Sequence, residues 1–139
     1  LISIFIDASF LIGLRNSNDA HHEKAVKNLV DIVSGKYGKI VTSDYIFDEV
    51  ITVMINKTKD IDKSIETGKY LLDSEIILLK VDANIFKESW DFFQSENKYN
   101  LSFTDCTNIV LMRSLGMNYI ATFDKAFSKV KGIEVVASD

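Results

Sequence analysis

Short apolar runs alternate along this chain with stretches in which apolar positions recur every three to four residues. Each apolar run is nearly continuous, which is typical of a strand buried on both faces. The predicted strands occupy residues 1–6, 39–42, 75–81, 117–122 and 133–136. The recurring apolar positions between them predict amphipathic helices. These helices occupy residues 9–14, 19–33, 43–56, 61–72, 82–94 and 102–115, and a short helical turn begins at 124.

Residues that favour helix ends stand at several of these boundaries. Gly35 and Gly116 follow the last apolar positions of two helices, where a left-handed residue commonly ends a helix. Asp82 and Ser102 precede two other helices, in the position of an N-cap. Strands that alternate with helices predict an α/β fold, a five-stranded parallel sheet between two helical layers. The chain has no proline, repeat or break in composition, so we expect one domain over residues 1–139.

Composition narrows the classes of protein to consider. With 139 residues, 47% of them hydrophobic and 26% charged, the chain is long and apolar enough to bury a core. The net charge of −4 provides no basic field of the kind that drives nonspecific nucleic-acid binding. This counts against a simple DNA-binding module. It leaves a nuclease open, because a bound metal ion supplies positive charge locally.

Cysteine content and hydropathy indicate the compartment. The single cysteine excludes an internal disulfide and is typical of a reducing environment, so we expect a cytoplasmic protein. No apolar run approaches the length of a membrane span, and the N-terminus shows no signal-peptide pattern. We therefore predict no association with a membrane.

Four carboxylates are the most informative side chains, although they lie far apart in sequence. Asp7 follows the first predicted strand, and Asp124 lies two residues after the fourth. Asp105 opens the helix that leads into the fourth strand, so it lies at the same edge of a parallel sheet. Glu49 lies about two turns into the helix after the second strand, and helix side chains lean toward the N-terminus. We expect all four to converge where the strands end, which is where open parallel sheets bind ligands.

Three of these acids have a purely structural alternative. Asp7 and Asp124 could each cap the helix that follows it. Asp105 and Ser102 fit a capping box, which would explain the acid without any function. Taken one at a time, these three residues do not distinguish the two interpretations.

Glu49 is harder to explain as a structural residue. It lies within the apolar stripe formed by Ile46, Val50 and Val53 on one helix face. A buried carboxylate without a partner is costly, so an acid on a core-facing surface requires a reason. Converging carboxylates are a site for hard divalent cations such as Mg²⁺ or Mn²⁺. The pattern therefore predicts metal-dependent phosphodiester chemistry.

Four stretches of the chain carry a family resemblance. They read IFIDAS at 4–9, TS followed by EV within 42–50, LSFTDC at 101–106 and IATFDKAF at 120–127. No single stretch is specific, but their order and spacing are. The chain resembles the PIN-domain family, and within it the short toxin ribonucleases of VapBC toxin–antitoxin pairs, over essentially its whole length.

The resemblance implies a ligand set for a divalent ion, Mg²⁺ or Mn²⁺. The family's metal-binding acids correspond to Asp7, Glu49, Asp105 and Asp124. We expect Asp7 and Asp105 to be direct ligands, with the other two acids completing the shell directly or through water. Ser9 and Thr122 are candidates for supporting hydrogen bonds. Many relatives carry a further acid where this chain has Ala126, which puts a second metal position in doubt.

The same resemblance implies an activity and partners. It implies an endoribonuclease that cuts single-stranded or structured RNA, forms homodimers, and is blocked by a cognate antitoxin protein bound at the cleft. The alternatives are an RNA- or protein-binding module with little catalysis, and an RNA-processing nuclease that is not a toxin. A phosphoacceptor receiver domain would need a pair of acids after the first strand, where Asp7 stands alone. A haloacid-dehalogenase-like phosphatase would need an acid at the position of Ser9.

Some features invite other chemistry. His21 and His22 are adjacent at a helix start, and adjacent helical residues do not share a face, so we expect no joint metal site. Cys106 has no histidine placed to activate it, which favours a small buried side chain over a nucleophile. The segment 57–73 predicts a helical hairpin with the preceding helix, and its apolar positions could serve a dimer interface or an antitoxin helix.

Overall fold

The computed structural model describes residues 2–137 and confirms the alternation of strands and helices. The strands are β1 Ser3–Ile6, β2 Lys39–Ser43, β3 Ile77–Leu79, β4 Tyr119–Ala121 and β5 Glu134–Val136. The helices are α1 Ala8–Arg15, α2 His22–Val33, α3 Asp44–Thr58, α4 Ile61–Asp73, α5 Ala83–Ser95 and α6 Phe103–Ser114, followed by a 3₁₀ helix Lys125–Lys129. The first residue of the first predicted strand, Leu1, lies outside the described residues.

The sheet is five-stranded and parallel, with strand order β3-β2-β1-β4-β5. The chain moves outward in one direction from β1 through β2 to β3, and then crosses back to β4 on the other side of β1. Parallel crossovers are right-handed, so this reversal places α1 to α4 on one face and α5 and α6 on the other. The packing agrees, since α3 contacts α4 and α1, while α5 contacts α6. The predicted α/β/α arrangement is confirmed.

The core lies at the centre of the sheet and along α6. Ile4, Phe5 and Ile6 of the central strand are fully or almost fully buried. Helix α6 is buried along its whole middle section, and two polar side chains, Thr107 and Asn108, are buried with it. Buried polar groups are normally hydrogen-bonded, so these two residues require partners. Within residues 2–137, no helix has both the length and the apolar character needed to cross a membrane.

Strand β3 and helix α2 are shorter than predicted because side chains bond the neighbouring backbone. The N–H of Val81 donates to Asp44 Oδ1 over 2.9 Å, so β3 ends before it. At the start of α2, the predicted first turn is a separate loop, in which Asp19 Oδ1 accepts from the N–H of His21 over 2.9 Å. Sequence periodicity does not detect such local side-chain bonds.

Gly38 is required by the turn into β2. Its φ is +80°, and a Cβ at this position would lie 1.9 Å from the carbonyl oxygen of Ile2. Only glycine permits this approach, which brings β2 into register beside β1. The register of β2 in turn sets where α3, the helix that carries Glu49, begins.

Candidate active site

The carboxyl ends of β1 and β4 position the central acid of the site. Asp7 directly follows β1, and its N–H donates to the carbonyl oxygen of Ala121 at the end of β4 over 3.0 Å. Asp7 occupies the N-cap position of α1, but its carboxylate makes no capping hydrogen bond. Helix capping therefore does not explain this residue.

The Asp7 carboxylate is held by three side chains. It is 4% exposed. Oδ2 accepts from Thr122 Oγ1 over 2.7 Å and from Ser9 Oγ over 3.4 Å, and Oδ1 accepts from Asn108 Nδ2 over 3.1 Å. Burial raises the pKa of Asp7 to about 6, against the lowering effect of the Thr122 bond, and the charges of Glu49 and Asp124 raise it further. The hydrogen bonds expected from Ser9 and Thr122 are confirmed.

The same two hydroxyl groups connect Asp7 to the loop that carries Asp124. Ser9 Oγ accepts from the N–H of Phe123 over 3.0 Å, and Thr122 Oγ1 accepts from the N–H of Asp124 over 3.0 Å. The loop after β4 is therefore tied to the residues around Asp7, and a shift of one would move the other.

Asp105 both caps α6 and faces the other acids. Its N–H donates to Ser102 Oγ, and its carboxylate accepts from the N–H of Ser102, so the predicted capping box is present. These bonds lower the pKa of Asp105. Burial and then the charge of Asp7 outweigh them and raise it to about 6. Capping alone would not produce that direction, so the structural explanation of Asp105 is incomplete.

Glu49 and Asp124 stand at the more open side of the site. Glu49 is partly buried and lines a cleft of about 400 Å³ between α3 and the start of α6. Burial, followed by the charges of Asp105 and Asp48, raises the pKa of Glu49. Asp124 is exposed, and its Oδ1 accepts from the N–H of Ala126 at the start of the 3₁₀ helix.

These mutual effects show that the four acids are electrostatic neighbours. Asp7 responds to Glu49 and Asp124, and Asp105 responds to Asp7 and Asp124. Within residues 2–137, no three acidic, histidine or cysteine side chains are grouped closely enough to hold a metal ion. Carboxylate oxygens are the donor type that suits a hard divalent cation.

Asn108 is a site residue that sequence reasoning missed. Its amide donates to Asp7, and its side-chain oxygen Oδ1 is buried without a hydrogen-bond partner in the described part of the chain. An unpaired buried acceptor is rare and requires an explanation. An acceptor beside the carboxylates fits a site made for an additional positively charged or hydrogen-bonding group. The sequence offers one indication of this role, an amide side chain three residues after Asp105 on a helix face that is otherwise apolar.

The two histidines and the cysteine take separate roles. The His21 ring stacks on Phe123, whereas His22 Nδ1 lies 2.9 Å from the carbonyl oxygen of Gly13. Cys106 is fully buried, and burial raises the pKa of its thiol to about 11, which disfavours the nucleophilic thiolate. The interpretation of Cys106 as a packing residue is confirmed.

Comparison with known proteins places the chain in a family. The model of the PIN domain matches residues 4–133, and the chain belongs to the PIN-domain family. It is 26% identical over 132 residues to the 23S rRNA-specific endonuclease VapC20 of Mycobacterium tuberculosis, covering 95% of this chain and 97% of that protein. It is 24% identical over 128 residues to a VapC ribonuclease of Archaeoglobus fulgidus, covering 91% and 80% of the two chains.

Solved structures show the same fold. The crystal structure of Mycobacterium tuberculosis VapC20, a Sarcin-Ricin loop cleaving toxin, matches with a TM-score of 0.80 and 24% identity over 90% of this chain and 92% of that one. DNA-bound VapBC from Salmonella typhimurium matches with a TM-score of 0.68 and 12% identity, over 98% of both chains.

Proposed function

We propose that this protein is a metal-dependent endoribonuclease, the toxin of a VapBC-type toxin–antitoxin pair. One observation carries the proposal: Asp7 is buried at the carboxyl edge of the sheet, held by three side chains, and coupled electrostatically to Glu49, Asp105 and Asp124. A structural role gives no reason to bury a carboxylate among like charges. The ribonuclease names of relatives that align over most of their length support the same activity.

The acids would hold Mg²⁺ or Mn²⁺, with Asp7 and Asp105 as direct ligands and Glu49 and Asp124 completing the shell. A divalent ion bound there would lower the pKa of a coordinated water and offset the negative charge that develops on the phosphoryl oxygens. Thr122 and Asn108 orient the two oxygens of Asp7 before any ligand arrives, which reduces the reorganisation that binding requires.

Glu49 is the acid best placed to accept a proton from water. It lines the cleft and therefore meets solvent, unlike Asp7, and burial raises its pKa, which makes its carboxylate a better proton acceptor. We assign Glu49 to orient the attacking water and to accept its proton. The ribosomal RNA loop named for the mycobacterial relative is the first defined substrate to test.

A cleavage assay tests the proposal directly. Purified protein freed of any partner is incubated with a mixed RNA pool and with ribosomal RNA, in Mg²⁺ or Mn²⁺, in EDTA, and after metal is restored. We expect discrete cuts with metal, none in EDTA, and recovery on restoration. Cleavage that persists in EDTA would contradict the metal mechanism. RNA binding without cleavage would favour the alternative of a binding module.

The groove between α3 and α4 is our candidate for the antitoxin site. Its volume is about 410 Å³, and Gly68 of α4 faces Ile51 of α3, so the helices approach closely. Ile61 and Leu72 are 59% and 61% exposed along it, an apolar surface suited to an amphipathic helix. A second copy of the chain is the other occupant, as expected for a homodimer. Chromatography of the partner-free protein with and without the antitoxin distinguishes the two.

A further inference from the structure

Three aromatic rings form a stacked column at the carboxyl edge of the sheet. The rings of Phe10 and Phe123 have centroids 5.7 Å apart and planes inclined by 15°. The rings of Phe123 and His21 are closer, at 4.3 Å, and nearly parallel, at 7°. Phe10 is 1% exposed, whereas Phe123 and His21 are partly exposed. The column therefore runs from the core to the surface, with His21 as its outer ring.

The column is joined to the acidic site by sequence and by hydrogen bonds. Phe123 lies between Thr122, which bonds Asp7, and Asp124. The N–H of Phe123 donates to Ser9 Oγ, which itself donates to Asp7 Oδ2. His21 thus lies one ring away from the loop that carries Asp124.

Contacts with Gly13 and Asp19 hold His21 in place. A Cβ on Gly13 would lie 3.3 Å from Phe123 Cε2, a tight contact, and 3.5 Å from His21 Cβ, an ordinary one, so Gly13 packs closely beneath this part of the column. The N–H of His21 donates to Asp19 Oδ1, and Asp19 Oδ2 lies 4.0 Å from Lys57 Nζ. A ring that is held in place but partly exposed loses little conformational freedom when it binds.

Stacking suits RNA recognition at this site better than charge does. The chain has a net charge of −4, the charges that raise the pKa of Asp7 belong to Glu49 and Asp124, and Lys57 Nζ lies 4.0 Å from Asp19 Oδ2. Within residues 2–137 no second ring stacks on His21, so the outer face of the His21 ring is not covered by another aromatic ring. Every base has an aromatic face, and stacking on such a ring holds a nucleotide without a basic surface.

We propose that His21 stacks on a base of the substrate RNA next to the cleaved phosphodiester and positions that bond at the acids. The inference rests on the proposed ribonuclease function and names the substrate group that His21 contacts. It makes His21 a substrate-binding residue, separate from the acids that would hold the metal.

The test uses 12-nucleotide RNAs that span a mapped cut, each carrying 2-aminopurine at one flanking position, with Ca²⁺ in place of the activating ion. Wild-type protein should quench the fluorescence of one of these probes through stacking. His21→Ala should lose the quenching. In a separate cleavage assay with the activating ion, it should raise KM about 10-fold with little change in kcat. His21→Phe, which keeps the ring and removes the imidazole nitrogens, should retain both properties.

A matched control comes from the opposite edge of the sheet, where Tyr37 packs on Tyr119 with centroids 5.1 Å apart. Tyr37→Ala should leave quenching and KM unchanged. An abasic nucleotide at the contacted position should weaken wild-type binding as much as His21→Ala does, with no further loss when the two are combined. If His21→Ala unfolds, His21→Leu takes its place in this comparison, because it keeps an apolar side chain against Phe123 but has no aromatic ring.

Three results would overturn the inference. The first is unchanged quenching in a folded His21→Ala variant. The second is a loss of quenching in His21→Phe equal to that in His21→Ala. The third is full additivity of the losses of binding caused by the abasic nucleotide and by His21→Ala. Failure of the wild type to make any metal-dependent cut is a different outcome, because it rejects the proposed function before His21 is examined.

Discussion

Asp7→Asn is expected to remove metal-dependent RNA cleavage while leaving the protein at least as stable as the wild type. The asparagine keeps the shape of the side chain and an oxygen that can accept from Thr122. Its new amide can donate to Asn108 Oδ1, which lacks a partner in the described structure, once the Asn108 side chain turns over. Activity should fall by about 100-fold or more, because a charged group at the reaction centre is lost. The free energy of unfolding should stay equal or rise, because a buried charge is removed.

Initial cleavage rates and urea unfolding measure the two effects separately. Asp31→Asn is the matched control, since Asp31 is an exposed acid of α2 whose carboxylate lies 3.6 Å from Lys36 Nζ. It should change neither the rate nor the stability appreciably. An Asp7→Asn variant with the wild-type cleavage rate would remove Asp7 from the site. A variant that fails to fold would show that the Asp7 charge is structural.

The metal-free protein is expected to lose stability as the pH rises from about 4 to about 6, and a divalent ion should restore it at neutral pH. The pKa of Asp7 is raised from 3.8 to about 6 in the folded state, and that of Asp105 likewise. Between these values the folded protein binds more protons than the unfolded chain, so stability falls with increasing pH. The shift of Asp7 alone corresponds to about 3 kcal/mol, and coupling with Asp105 makes the two contributions non-additive.

Thermal unfolding between pH 4.5 and 7.5 checks this expectation, in EDTA and with Mg²⁺ or Mn²⁺. The informative quantity is the difference between wild type and Asp7→Asn, because most other groups cancel in it. The variant should gain stability relative to the wild type as the pH rises, and the metal should stabilise the wild type more than the variant at pH 7. A wild type that gains stability over the variant across this pH range, or shows no metal effect at pH 7, would contradict the account.

The fold could be predicted from the sequence because strands buried on both faces appear as short apolar runs. The ends of the strands and helices could be predicted less well. The backbone beyond β3 bonds the side chain of Asp44, 37 residues earlier in the chain, so an apolar run that looks longer forms only three residues of strand. Periodicity reports which residues are buried, but not which hydrogen-bond partner ends a strand.

That Asp7, Glu49, Asp105 and Asp124 lie near enough to affect one another's charge could also be predicted, because the carboxyl ends of parallel strands meet at one edge. Asn108 and His21 could not. The role of Asn108 depends on its hydrogen bond to Asp7, which lies 101 residues away. A single amide in an apolar helix has many explanations. The neighbour of His21 in sequence, His22, suggested only a metal pair, whereas its actual partner is the ring of Phe123. Long-range contacts of this kind leave no local pattern.

Diffraction from crystals soaked in Mn²⁺, recorded to reveal the anomalous signal of the ion, tests the central claim most directly. The account predicts one Mn²⁺ among Asp7, Glu49, Asp105 and Asp124, bonded to carboxylate oxygens of Asp7 and Asp105. The peak should be absent from Asp7→Asn crystals soaked in the same way. No peak in the wild type, or a peak coordinated by residues elsewhere on the protein, would contradict a shared metal site.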